Sequence, residues 1–271
     1  MSRTITIETK SEISFRQLSE FLRNIDEDIV AIDRSYGIVY YYVKGKSTRG
    51  IDVSKEKDGY EIRLTTLANR ADYQLANTVV AFFNDHAAQP TFLLEDEPFD
   101  RYPLWTTEEQ QALFKRDAKF IYQLSAEKDK APITLYAADQ EYNLGAYTFA
   151  KVKAGEPDWE DRLQQLILRV LYHLPEIKET SVLRIRKNKD DEGRIMKFVD
   201  PETSYILRKY DGLLFMKGKD GSGAGSLELT KDILNEHLPP TWERVDEYTI
   251  IAPALGWDAY LEFVNRMLPH L

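Results

Sequence analysis

The sequence predicts an α+β protein with mainly antiparallel sheets, packed helices and two lobes. Three observations carry that expectation. Short β-prone runs bounded by turn residues mix with amphipathic helices, without the regular alternation of a doubly wound fold. The 271 residues exceed a typical single domain, so two lobes or one composite unit can each bury a core. Hydrophobic residues make up 43% and charged residues 30%, a composition that excludes wholesale disorder. The expected boundaries are an N-terminal lobe over 1–90, a partly helical middle region over 91–175 and a C-terminal lobe over 176–271.

Residues 60–86 set the pattern: a strand at 60–65, a polar connection, and a helix opening near Asp72. The same order recurs loosely at 147–159 and 248–258, each time with an Asp beside an aromatic at the helix start. A loose internal duplication would produce that recurrence, and so would ordinary sheet-to-helix junctions.

In chain order, 4–8 alternates Ile5 and Ile7 with polar residues, as a half-buried strand does. Ser14 and Gln17 form a capping box for a helix with Phe15, Leu18, Leu22 and Ile25 on one stripe. Strands follow at 29–33, 38–43 and 50–53, separated by glycine turns. Asn69 and Asp72 cap the helix after strand 60–65, and this first unit ends near Ala88. The stretch 89–104, with three prolines and an acidic cluster, reads as a linker or a surface excursion. Thr106 and Glu109 start a helix to about Leu124. Strands are expected at 133–136 and 144–152 around a polar loop, then a helix with Pro157 at its first position. Residues 182–186 and 195–199 read as a hairpin, and 204–207, 213–217 and 227–229 as strands. Thr230 caps a short helix, 242–252 is a strand region, and Trp257, Tyr260, Leu261, Val264 and Leu268 line a final helix.

The formal net charge is −9. Such a surface repels phosphate backbones and disfavours nucleic acid, while it favours a basic protein partner. With no cysteine, disulfides, thiolate catalysis and cysteine-ligated metals are excluded. The start carries no apolar signal-peptide core, and the apolar runs fall short of the roughly 20 residues a membrane helix needs. The expectation is a cytoplasmic protein with no membrane association.

Motif chemistry is sparse. All four histidines, His86, His173, His237 and His270, fall where helices end, which suits the helix dipole and the free carbonyls. None has a second histidine at metal-binding sequence spacing. The glycine-rich loop 218–226 matches neither a P-loop nor a dinucleotide fingerprint, and it reads as a hairpin loop. Glu95, Asp96, Glu97 and Asp100 lack the rhythm of a calcium loop and read as a solvated segment suited to a basic partner. Asp72, Asp158 and Asp258 read as helix-start carboxylates. Arg49 and Arg63 flank Asp52, where cross-strand pairing is expected. Tyr40 and Tyr42 share one strand face, which is an interface if it meets solvent and core if it turns inward. The binding candidates are therefore Tyr40, Tyr42, Arg49, Glu95, Asp96, Glu97 and Asp100. No catalytic, cofactor or metal residue is assigned. The leading expectation is a non-enzymatic module, an adaptor or an immunity-type inhibitor of a basic partner. The alternatives are a hydrolase or transferase using carboxylates between the lobes, and a small-ligand sensor with loop 218–226 as its lid.

Overall fold

A computed structural model describes residues 2–34, 37–99, 103–138, 140–174, 182–185, 193–208, 210–216 and 226–270. The chain divides into two compact units, 1–173 and 174–271. Both are α+β, and no described helix is long and apolar enough to cross a membrane.

The first unit opens with β1 (Arg3–Glu8), α1 (Phe15–Ile25), β2 (Ile29–Arg34), β3 (Ile38–Val43), β4 (Ile51–Glu56), β5 (Gly59–Leu64) and α2 (Arg70–His86). β6 (Thr91–Leu94) and β7 (Glu97–Pro98) follow, and the seven strands form one antiparallel sheet in the order β2-β3-β4-β5-β1-β6-β7. The unit is completed by α3 (Thr107–Ser125), the hairpin β8 (Ile133–Ala137) and β9 (Gln140–Leu144), α4 (Ala146–Val152) and α5 (Trp159–Tyr172). Ile5, Ile7, Val53, Ile62 and Leu64 line one sheet face and pack with Leu18 and Leu22 of α1 and Val79 and Phe83 of α2. Burying such side chains contributes about 1.5–3 kcal/mol each before chain entropy is counted.

Three helices of this unit begin with a reciprocal capping box: Ser14 with Gln17, Asn69 with Asp72, and Thr106 with Glu109. Each satisfies two helix-end donors, and loss of such a cap typically costs about 1 kcal/mol.

The boundary expected near residue 90 is not where the chain divides. Residues 91–98 are not a linker, because β6 pairs with β1 and extends the sheet. The stretch from 91 to 173 joins the first unit for a second reason. Asp117 of α3 takes two hydrogen bonds from the Arg3 guanidinium of β1, at 3.0 and 3.2 Å, and one from the Leu67 N–H. Residues 144–152 also depart from expectation: the hairpin closes at Leu144, Gly145 caps the next turn, and 146–152 is helical. The recurrence noted at 147–159 therefore has no strand at its start. α5 begins at Trp159 behind Asp158, so Pro157 precedes the helix and does not open it.

The second unit contains β10 (Val182–Ile185), β11 (Arg194–Val199), β12 (Tyr205–Leu207), β13 (Gly212–Met216), β14 (Ser226–Thr230) and α6 (Lys231–Glu236). β15 (Glu243–Arg244), β16 (Ile250–Ala252), α7 (Trp257–Met267) and a 3-10 turn (Leu268–His270) complete it. β10-β11-β13-β14 form one sheet, in which β11 and β13 run parallel, and β12-β16-β15 form another. Phe215, Trp242, Tyr260 and Phe263 centre its core. The glycine-rich stretch expected to be a loop lies outside the described residues from 217 to 225.

Candidate binding surface

Tyr40, Tyr42 and Arg49 come together on the sheet face opposite the α1/α2 core. Tyr40 is only 2% exposed. Its hydroxyl donates to the Arg49 carbonyl at 2.9 Å and accepts from the Ala138 N–H at 3.1 Å. The ring stacks on Tyr42 at 5.4 Å, Tyr42 stacks on Tyr172 at 6.4 Å, and the Arg34 guanidinium lies 3.9 Å from the Tyr40 ring centre. Tyr40 thus takes the inward alternative, because the β8–β9 hairpin and α5 supply aromatic and polar partners on that face. Burial pushes the Tyr40 hydroxyl well above the usual tyrosine range.

Arg49 is half-buried, and its Nε donates to Thr65 Oγ1 at 2.8 Å. Its backbone N–H belongs to a knot around Asp72, whose carboxylate accepts from Arg49 N (3.0 Å), Gly50 N (2.8 Å), Asn69 N (2.9 Å) and Thr48 Oγ1 (3.2 Å). Burial pushes the Asp72 carboxyl up, against these hydrogen bonds, which favour the anion. Asp52 is also pushed up by burial, is held by Arg34 at 2.8 Å, and stands opposite Arg63 in the ladder.

Glu95, Asp96 and Glu97 lie apart from that cluster, exposed at the tip of the β6–β7 hairpin. Glu95 and Asp96 both have positive φ, at 53° and 67°. Such a turn normally takes Gly or Asn, since the left-handed region costs other residues about 1–2 kcal/mol. Two bonds to Thr4 hold it: the Glu95 N–H donates to the Thr4 carbonyl at 3.0 Å, and Glu95 Oε1 accepts from the Thr4 N–H at 2.8 Å. Asp96 and Glu97 are left projecting from a fixed turn. Asp100 lies outside the described residues.

A groove of about 640 Å³ between α1 and α2 was not legible in the sequence. Phe21, Phe82 and His86 form its aromatic part, with centroid separations of 4.8 Å for Phe21–Phe82 and 4.4 Å for Phe82–His86. His86 Nδ1 is 2.8 Å from the Phe82 carbonyl, so that nitrogen carries the donated proton. Glu12 and Glu20 line the groove, and no Lys or Arg among the described residues does. A neighbouring groove of about 700 Å³ shares Ser11 and Glu12 but sets Lys10, Lys55 and Lys57 among its own acids.

The histidines hold one further surprise. His237 and His270, far apart in sequence, lie with ring centres 4.2 Å apart, and no group of three or more metal-ligating side chains occurs among the described residues. His173 caps α5, as its position implied. Lys231 lies 3.5 Å over the Tyr248 ring, and burial together with Arg244 pushes its ammonium group down.

Comparison of the chain with protein-family models, curated proteins and solved structures gives no match.

Proposed function

We propose that the chain is a non-enzymatic protein-binding module that takes a basic partner on acidic surfaces of its first unit. An adaptor or an immunity-type inhibitor of a basic protein has this character, and a cysteine-free chain suits the reducing cytoplasm. The observation that carries the reading is the β6–β7 tip, where Asp96 and Glu97 project from a turn whose strained conformation is held by Thr4. Strain of this kind persists where surrounding structure holds it, and it is common at functional positions. A turn backbone that is already held loses little conformational freedom when its side chains bind a cation. The buried and half-buried acids support the same reading from the other side. Asp72 and Asp117 are each engaged by several donors, and Asp52 by Arg34, in bonds that hold the fold together.

Affinity capture from the native host at low salt, followed by mass spectrometry and salt titration, tests the proposal. The expected result is one basic protein, bound one to one, released as salt screens the charges and bound more weakly by the Asp96→Asn/Glu97→Gln variant. An empty capture, or a partner indifferent to both salt and variant, would overturn it.

A further inference from the structure

We infer that the groove between α1 and α2 seats an arginine side chain of that partner, an inference that rests on the reading above. The groove joins two features that a guanidinium recognises together. His86 offers an exposed ring stacked on Phe82, with Phe21 beside it at 5.8 Å from the His86 centroid. A planar cation packs against such rings and keeps its N–H groups free for acceptors in its own plane. Glu12 enters from the loop before α1 and Glu20 from α1 itself, so carboxylates line the same groove as the rings.

Both carboxylates already hold cations, Glu12 with Lys55 at 3.0 Å and Glu20 with Arg16 at 2.8 Å. These pairs lie in solvent, with the Glu12 side chain 86% and the Arg16 side chain 87% exposed. Exposed pairs contribute little, so opening them toward a partner's guanidinium meets a small opposing term. Lysine is the poorer occupant: its compact ammonium can lie over a ring, as Lys231 does over Tyr248, but has no planar fork for two carboxylates. The hydrogen bond between His86 Nδ1 and the Phe82 carbonyl fixes the imidazole ring before the ligand arrives.

The test uses the full chain with fluorescently labelled hexa-arginine and hexa-lysine peptides at low salt, read by anisotropy. Hexa-arginine should bind more tightly than hexa-lysine. The Glu12→Gln/Glu20→Gln variant should weaken hexa-arginine binding about three- to tenfold. Phe21→Leu, which keeps an apolar side chain and removes the ring, should narrow the preference for arginine over lysine. Thermal melts of both variants establish that the fold is retained. Hexa-arginine binding unchanged by Glu12→Gln/Glu20→Gln would overturn the groove assignment. If Asp96→Asn/Glu97→Gln alone weakens binding, the groove is wrong and the basic-partner reading stands. If neither peptide binds and the host yields no basic partner, both fall.

Discussion

Removing the Asp72 carboxylate is the sharpest test of how the first unit is held together. Its side chain is fully buried, and its two oxygens serve three backbone N–H groups and one hydroxyl. In Asp72→Ala the Thr48 hydroxyl keeps its 2.6 Å bond to the Leu67 carbonyl, but the N–H groups of Arg49, Gly50 and Asn69 lose this acceptor. Each buried donor left unpaired costs about 1–3 kcal/mol. A loss of about 3 kcal/mol or more follows, a large share of the roughly 5–15 kcal/mol that holds a domain together. Asp72→Asn is milder. Its amide oxygen can remain toward Arg49 and Asn69, while its NH₂ meets the Gly50 N–H donor to donor, at about 1–3 kcal/mol. Urea unfolding by circular dichroism gives the free energies, and hydrogen exchange at Arg49, Gly50 and Asn69 gives the local effect. Stability within about 1 kcal/mol of wild type for Asp72→Ala would refute the reasoning.

Three further outcomes follow from the same structure. Asp117→Asn takes the carboxylate from beside the buried Arg3 guanidinium and should cost about 3–5 kcal/mol in urea melts, with Arg3→Met added to the variant restoring part of it. Gly50→Ala places a Cβ 2.5 Å from the Tyr41 carbonyl oxygen at φ +63° and should cost about 2–5 kcal/mol; Gly45→Ala, at φ +76° with no atom near, should cost about 1 kcal/mol. Burial pushes the hydroxyls of Tyr41 and Tyr142 up to about 12. Unfolded tyrosines ionise near 10, so the stability these two contribute is intact below that pH and is lost as pH rises toward 12, at about 1.4 kcal/mol per pH unit for each. With 16 tyrosines in the chain, some of them exposed, one component of the phenolate absorbance should rise together with the loss of circular dichroism; ionisation of every ring well before unfolding would contradict the burial of these two.

What was legible in the sequence was local. The capping boxes at Ser14, Asn69 and Thr106 are read from residues three apart, and the structure contains all three. The β6–β7 hairpin is not legible because its turn is Glu95-Asp96, without Gly or Asn, and Pro98 argues against a strand. Its position is set by pairing with β1, some ninety residues earlier, which periodicity does not report. The same distance hid the Arg3–Asp117 pair, whose members are 114 residues apart. Residues 146–152 read equally as strand or helix from their apolar content, and Gly145 decides between them. The Tyr40/Tyr42 alternation was visible, but its facing was not, since β8–β9 and α5 cover it from a hundred residues away. The α1/α2 groove needed both helices in place before Glu20 and His86 shared a wall.

The measurement closest to the central claim is isothermal titration of the captured partner into the full chain at about 20 mM and about 200 mM salt, which spans strong to weak screening. The account predicts one-to-one binding that weakens with salt, and weakens again when Asp96→Asn/Glu97→Gln is titrated at the lower salt. Binding of equal strength at both salt concentrations, unmoved by that variant, would contradict it.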